Sequence, residues 1–403
     1  MRLPATLDVL HERNFARYLA AVVVSHVGGG MAIVALAFAV LDFGTPTDLG
    51  IVLLSREVPM IAFLLLGGVF ADRLSRRTIL VSTDLIKGTS QVATAAVLFL
   101  GVANVWNVAI LQVAFGVANA FSRPVQIGLV KETVSDARLQ EANALMQLSR
   151  SVTSIASPAL GALIVTLWSP AVAILIDALT FFASATLIWS MRLASRVSVA
   201  TASVVGDLRA GWREFISRPW VVAIIGSFGL FQLTYFPALL VLGPTVANEH
   251  LGGAAGWGTI LAIESLGAVV GGLFALRLRV RHPLVWSELL VLPAGVLLAV
   301  LAVPLSLPLI AVIGFAVGVG FALGETLYVT ALQRNVPAHA LSRISSFDWF
   351  GSVALNPIGY ALIGPIAAAI GTSQTLFVAA ALNVLVCFSV LLVPSVRAIR
   401  MDA

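Results

Sequence analysis

Apolar residues run along this chain in long blocks, and polar residues gather between them. Twelve blocks reach spanning length: 17–41, 49–71, 78–101, 104–126, 142–168, 171–191, 220–246, 256–276, 284–303, 308–331, 345–370 and 375–395. Each is long enough to cross a hydrocarbon core of about 30 Å, some of them tilted. A backbone in lipid must satisfy its own hydrogen bonds, so the blocks predict helices. A membrane β-barrel would show alternation over about ten residues instead. The expected fold class is therefore all-α and integral to a membrane, with twelve transmembrane helices.

The connections give the orientation. Lys and Arg precede the first span (Arg2, Arg13, Arg17) and fill the second, fourth, sixth, eighth and tenth connections and the tail, from Arg73, Arg76 and Arg77 through Arg277, Arg279 and Arg281 to Arg397 and Arg400. Segments 42–48, 102–103, 169–170, 247–255, 304–307 and 371–374 contain none. Positive charge stays on the cytoplasmic side, so both termini are expected there. The first span exceeds the about 7–15 residues of a signal-peptide core, and no A-x-A-like site follows it, so no cleaved leader is expected.

Composition narrows the function classes. Of 403 residues 59% are hydrophobic and 11% charged, against about 25% charged in a soluble domain. A cytosolic enzyme, a nucleic-acid-binding domain and a disordered chain are all excluded. The net charge of +5 would suggest nucleic acid in a soluble protein, but here the basic excess records topology. A single cysteine, Cys387, excludes a disulfide framework and a cysteine-based metal site. H-E-x-x-H, G-x-S-x-G and P-loop patterns are absent, so neither an enzyme nor an ATP-driven pump is expected. No cofactor or metal is called for.

The chain also repeats itself. Gly67–Arg77 reads GGVFADRLSRR and Gly271–Arg281 reads GGLFALRLRVR, identical at seven of eleven positions and 204 residues apart. Each copy ends the second span of its half on the cytoplasmic side. Two six-span halves follow, 1–191 and 220–403, joined by a basic cytoplasmic loop, 192–219.

Gly68-x-Phe70-Ala71-Asp72-Arg73-x-Ser75-Arg76-Arg77 closely resembles the loop 2–3 motif of the major facilitator superfamily, in sequence and in position. The resemblance extends over essentially the whole chain and implies two pseudo-symmetric six-helix bundles in parallel repeat. Within the superfamily the chain resembles bacterial exporters that include the enterobactin and macrolide efflux proteins. That likeness is carried by Asn14-Phe15-Ala16-Arg17, Glu141-Ala142-Asn143-Ala144-Leu145, Gly256-Trp257-Gly258 and Leu332-Gln333-Arg334-Asn335-Val336-Pro337. Three family patterns depart from their usual form. The fifth-span antiporter pattern reads Ser157-Pro158-Ala159-Leu160-Gly161-Ala162. In the fourth span Gln112 stands for the arginine. The first span has Gly28-Gly29-Gly30 where an acid often follows glycine. The usual arginine and first-span acid cannot be the coupling groups here.

The resemblance implies a conformational latch at the cytoplasmic face, built from Gly68, Asp72, Arg73, Arg76 and Arg77. Asp72 would accept from a helix N-terminus, and the arginines would pair with carboxylates such as Asp84 or Asp348. Alternatively, Arg76 and Arg77 only fix topology. Charges inside spans are functional candidates by default. Asp84 and Lys87, at i and i+3, are placed for a local ion pair. Asp177, on the sixth span, reads as a helix-packing group. Arg56, Glu57, Arg150 and Glu264 lie deep, on spans the family fold sets beside a central cavity. A carboxylate there is costly to keep charged and can exchange a proton. Glu264, without an adjacent cation, is the first proton-coupling candidate and Glu57 the second, with Arg56 and Arg150 as charge partners. An ion pair serving assembly only, such as Glu57 with Arg150, is the competing reading. Candidate substrate contacts are His26, Gln112, Phe115, Asn119, Phe228, Phe231, Gln232 and Tyr235, each also readable as packing.

The leading functional expectation is a secondary active transporter working by alternating access. It would be a monomeric, multi-pass, proton-coupled exporter of small amphipathic, drug-like or siderophore-like compounds in the bacterial cytoplasmic (inner) membrane. Protons, the substrate and the lipid bilayer would be its partners, and nucleic acid would not. The alternatives are an importer or uncoupled facilitator of a nutrient or lipid, and a non-transporting membrane sensor. Topology is checked by impermeant thiol labelling in a Cys387-free background. Glu249→Cys is expected to react from outside the cell and Ala202→Cys only from inside; the reverse would overturn the orientation.

Overall fold

The structure, a computed structural model, describes residues 9–73, 75–135, 138–192, 212–275, 277–303, 305–337, 344, 347–348 and 350–401, with the backbone alone described at 64–73, 124, 127 and 128. The chain divides into two compact units, Met1–Ala200 and Thr201–Ala403. Much of the loop expected at 192–219 lies outside the described residues.

Unit 1 holds six long helices: α1 (Arg13–Phe43), α2 (Pro46–Arg73), α3 (Arg76–Phe99), α4 (Val105–Thr133), α5 (Leu139–Leu167) and α6 (Pro170–Trp189). Unit 2 holds α7 (Pro219–His250), α8 (Gly253–Ala275), α9 (Pro283–Ala302), α10 (Leu307–Asn335), α11 (Asn356–Ile370), α12 (Thr372–Val390) and a short final turn, α13 (Pro394–Ala398). Each of the twelve expected spans corresponds to one of α1–α12. The described residues contain no strand. Ten helices among them are long and apolar enough to cross a membrane.

Helix ends follow local chemistry. The Ser75 hydroxyl accepts from the Thr78 amide at 3.1 Å and starts α3. Asn104 and Asn107 form a reciprocal capping box at the start of α4. Ser169 caps α6 just ahead of Pro170, whose missing N–H costs nothing in the first turn. Outward-facing apolar residues are abundant: Trp106, Trp168 and Trp189, at helix ends, are 66%, 67% and 66% exposed. In water such a surface would aggregate; in a bilayer it is the lipid face, with tryptophans at the interfaces.

Within unit 1 the core near the ends of α1 and α6 packs Phe15, Tyr18, Leu80, Leu129, Met146 and Met191. The Asn14-Phe15-Ala16-Arg17 run explains itself there. Phe15 is buried, the Asn14 amide pairs with the backbone of Arg192 at 2.9 Å, and Arg17 donates to the Ser190 carbonyl at 2.5 Å. The start of α1 is thus tied to the end of α6. In unit 2, α7 widens into a π-helical turn at Ala238–Leu242, directly after Pro237. Trp257 of α8 is buried against Gly243 just beyond that turn, which accounts for the Gly256-Trp257-Gly258 run.

The antiporter-like pattern on α5 is a packing surface despite its altered sequence. A Cβ on Gly161 would stand 2.7 Å from the Met31 Cα of α1, a distance backbone atoms cannot accept. Gly29, two residues before Met31 on α1, has nothing within 4 Å. Gly161→Ala is therefore expected to destabilise the protein by about 1–3 kcal/mol through forced helix separation. Gly29→Ala is expected to be neutral or to stabilise by up to about 1 kcal/mol. Thermal unfolding of the two variants in detergent checks the contrast; equal Tm values would contradict it.

Candidate functional site

Arg56, Asp84 and Lys87 of unit 1 belong to one layered cluster. The Arg56 guanidinium of α2 lies 3.9 Å above the Phe115 ring of α4. Phe115 meets Phe181 of α6 edge-on at 5.6 Å, and the Lys87 ammonium of α3 sits 5.5 Å from the Phe181 ring centre. Two cations thus cap an aromatic pair, whose π faces attract them most where water is excluded. Lys87 also donates to Ser122 of α4 at 2.8 Å and lies 3.8 Å from Asp84, as the i, i+3 spacing predicts. Asp84 accepts from Ser184 of α6 at 2.7 Å.

Further along α3 the groups are neutral amides. Gln112 of α4 donates to Gln91 at 3.2 Å, and Gln91 donates to Asp177 of α6 at 2.7 Å. The residue replacing the usual fourth-span arginine is therefore fully buried and bonded inside its own unit. Gln91, Ser122, Phe181 and Ser184 were not singled out in the sequence. The available signal was spacing: Phe181 falls one turn after Asp177 and Gln91 one turn after Lys87.

Glu57 feels Arg56 and Arg123 of α4. Arg150 acts instead on Tyr18 and His26 of α1. Asn119 contacts the Met60 sulfur at 3.3 Å. Of the latch residues, the side chains of Gly68, Asp72 and Arg73 lie outside the described residues. Arg76 pairs with Glu132 of α4 at 3.2 Å, and Arg77 lies 6.0 Å from the Trp189 ring centre. The expected partner Asp84 is not theirs: it is buried beside Lys87 and Ser184, a full turn and more into α3.

Unit 2 carries an aromatic ladder on α7. Phe228, Phe231 and Tyr235 stack at 6.2 and 5.0 Å, and Phe321 of α10 closes on Phe231 and Tyr235 at 6.0 and 5.6 Å. Phe228 is exposed, whereas Phe231, Gln232 and Tyr235 are buried. Glu264 of α8 acts electrostatically on Tyr235, and its Oε2 is buried with no hydrogen-bond partner among the described residues. The Glu264 carbonyl presses against Gly318 of α10, so the carboxyl is carried on a closely packed helix pair.

Residues 18–355 match the family model described as Major Facilitator Superfamily. The chain belongs to the major facilitator superfamily. It is a multi-pass membrane transporter with the superfamily's fold of twelve transmembrane helices in two six-helix bundles. Its relatives include Multidrug efflux pump Tap of Mycolicibacterium fortuitum, 28% identical over 367 residues that cover 86% of this chain and 88% of that one. Tap of Mycobacterium tuberculosis (strain ATCC 25618 / H37Rv) is 26% identical over 384 residues, 91% and 90% of the two chains. Macrolide efflux protein A of Streptococcus pyogenes is 25% identical over 210 residues, 51% and 52%. The fold also matches the nucleoside transporter NupG (TM-score 0.72, 14% identity, 96% and 98% covered) and a bacterial homolog of the human lysosomal transporter Spinster (TM-score 0.71, 14% identity, 100% of both chains).

The Asp84–Lys87 pair makes a quantitative test of the unit 1 cluster, since their side chains are only 6% and 4% exposed. Lys87→Met strands a buried carboxylate and is expected to cost about 3–5 kcal/mol. Adding Asp84→Asn is expected to recover most of that loss. Thermal unfolding of the single and double variants in detergent decides it, and purely additive losses would contradict the pairing.

Proposed function

We propose that the chain is a proton-coupled exporter of small amphipathic compounds, drug-like in character, acting from the bacterial cytoplasmic membrane with both termini inside. What carries this reading is its likeness, over most of its length, to relatives named as multidrug efflux pumps. The physical features agree. Efflux against a gradient needs an energy source, and the sequence offers no nucleotide-binding loop. A carboxyl buried in a membrane protein is costly as an anion, and proton uptake removes that cost.

In this reading Glu264 is the proton carrier of unit 2 and Glu57 a second candidate, with Arg56 and Arg150 tuning the field. Phe228, Phe231, Gln232 and Tyr235 from α7, and His26 and Asn119 from α1 and α4, supply contacts for an amphipathic solute; Gln112 and Phe115, also expected as contacts, are buried inside unit 1 against Gln91, Arg56 and Phe181 and serve packing instead. Gly68, Asp72, Arg73, Arg76 and Arg77 serve the conformational latch. The segment 192–219 joins the two bundles on the cytoplasmic side, and one monomer in the bilayer suffices. Substrate and proton are exchanged by alternating access: protonation favours one state, and substrate binding favours the proton-free carboxylate.

Transport in proteoliposomes with an imposed pH gradient tests the reading. Drug accumulation is expected to follow the gradient in sign and to lose at least half its initial rate, by about the coupling scale of such sites, in Glu264→Gln. If transport ignores the gradient, the chain is a facilitator. If the gradient drives it and Glu264→Gln is neutral, Glu264 is not the carrier.

A further inference from the structure

We infer that Asp177 of α6 is a second proton-binding residue, one whose carboxyl is lodged against the first span at Gly28. The inference rests on the proton-coupled reading above and deepens it. Asp177 is fully buried. Its Oδ2 accepts one hydrogen bond, from the Gln91 amide at 2.7 Å, while its Oδ1 is buried with no partner. The Thr180 hydroxyl nearby is committed to the Asp177 backbone carbonyl at 2.7 Å. Oδ1 faces Gly28 of α1, where any Cβ would collide with it and with the Thr180 hydroxyl. Gly28 thus opens the space the carboxyl occupies, at the first-span position where the family pattern often places glycine followed by an acid.

The surroundings suit a group that changes charge. A structural carboxylate is held by a cation or by several donors; Asp177 has two neutral neighbours, the Gln91 amide and the Thr180 hydroxyl, and no salt bridge among the described residues. That amide is oriented by the Gln112 side chain at 3.2 Å, whose own Oε1 is a second buried acceptor without a partner. Two acceptors in this short chain have no donor among the described residues, and of the two only the carboxyl can take up a proton.

The charged groups around it are all accounted for. Lys87 on α3 and Arg56 on α2 act on Asp177. Lys87 is held by Asp84 and Ser122, and Arg56 lies over Phe115. On α1 His26 feels Arg150 of α5, Lys87 of α3 and Arg123 of α4, Tyr18 feels Arg150 and Asp84, and Asp42 responds to burial; Asp177 acts on none of them. Taking up a proton at Oδ1 forms one O–H bond and releasing it breaks that bond. The step changes the net charge of the cluster by one and needs no other reactant. It alters what α6 presents to α1 and α3, which is how a proton there would bias one conformation over another.

The test uses the full chain in proteoliposomes with ethidium as the probe. The ratio of gradient-driven uptake to counterflow is expected to fall about tenfold in Asp177→Asn and to recover in Asp177→Glu. A merely structural role would lower both rates together; an unchanged ratio overturns the inference. A wild-type chain that shows counterflow but ignores the gradient overturns proton coupling and this inference with it. A gradient-driven wild type with an undisturbed Asp177→Asn ratio overturns this inference alone. Infrared pH titration of the protonated carboxyl band needs no substrate and covers an Asp177→Asn chain that does not fold. There Gln91→Leu is expected to shift the band's midpoint by about one pH unit, and an unmoved midpoint overturns the inference.

Discussion

A charge halfway along a membrane-length helix has neither water nor lipid headgroup to solvate it, so the protein itself must do so. Unit 1 solves this with one connected arrangement. Lys87 is shared by Asp84, Ser122 and the Phe181 ring, and Arg56 caps the other side of the same aromatic pair. Four helices, α2, α3, α4 and α6, each contribute a member. Their packing is therefore set by charge satisfaction as much as by apolar burial, and removing one member leaves the others stranded. Replacement of the whole cluster by apolar residues would be tolerated more readily than removal of one partner.

The same constraint separates the two units. Under the 204-residue repeat Asp84 corresponds to Glu288, and both are buried on the third helix of their unit. Asp84 has a lysine one turn on, whereas Glu288 has Val291 and accepts only from Ser227 at 3.3 Å. Unit 2 is instead rich in aromatic contacts around Tyr235, with Glu264 as the carboxyl beside them. One unit carries a compensated set of charges and the other a carboxyl among rings, a division suited to exchanging a proton for an amphipathic solute.

Much of the fold was legible in the sequence because membrane spans are written in blocks of hydropathy and the connections in basic residues. Local pairs were legible for a similar reason: Asp84 and Lys87 lie one turn apart on one helix. Partners across helices were not. Arg76 meets Glu132 and Arg77 meets Trp189 because of how α3 lies against α4 and α6. Asp177 reads as a packing residue by span number, and its neutral amide partner emerges only when Gln91, 86 residues away, is seen beside it. The π-helical turn at Ala238–Leu242, with Trp257 packed against Gly243 just beyond it, has no counterpart in the hydropathy pattern.

The central claim is that buried carboxyl groups of this transporter exchange protons for substrate. Proton flux measured directly answers it, with a pH indicator trapped in proteoliposomes while a drug is moved against its own gradient. Proton movement opposite to the drug, in fixed proportion to it, is the predicted result. A drug that equilibrates and stops, with no change in internal pH, would contradict the claim.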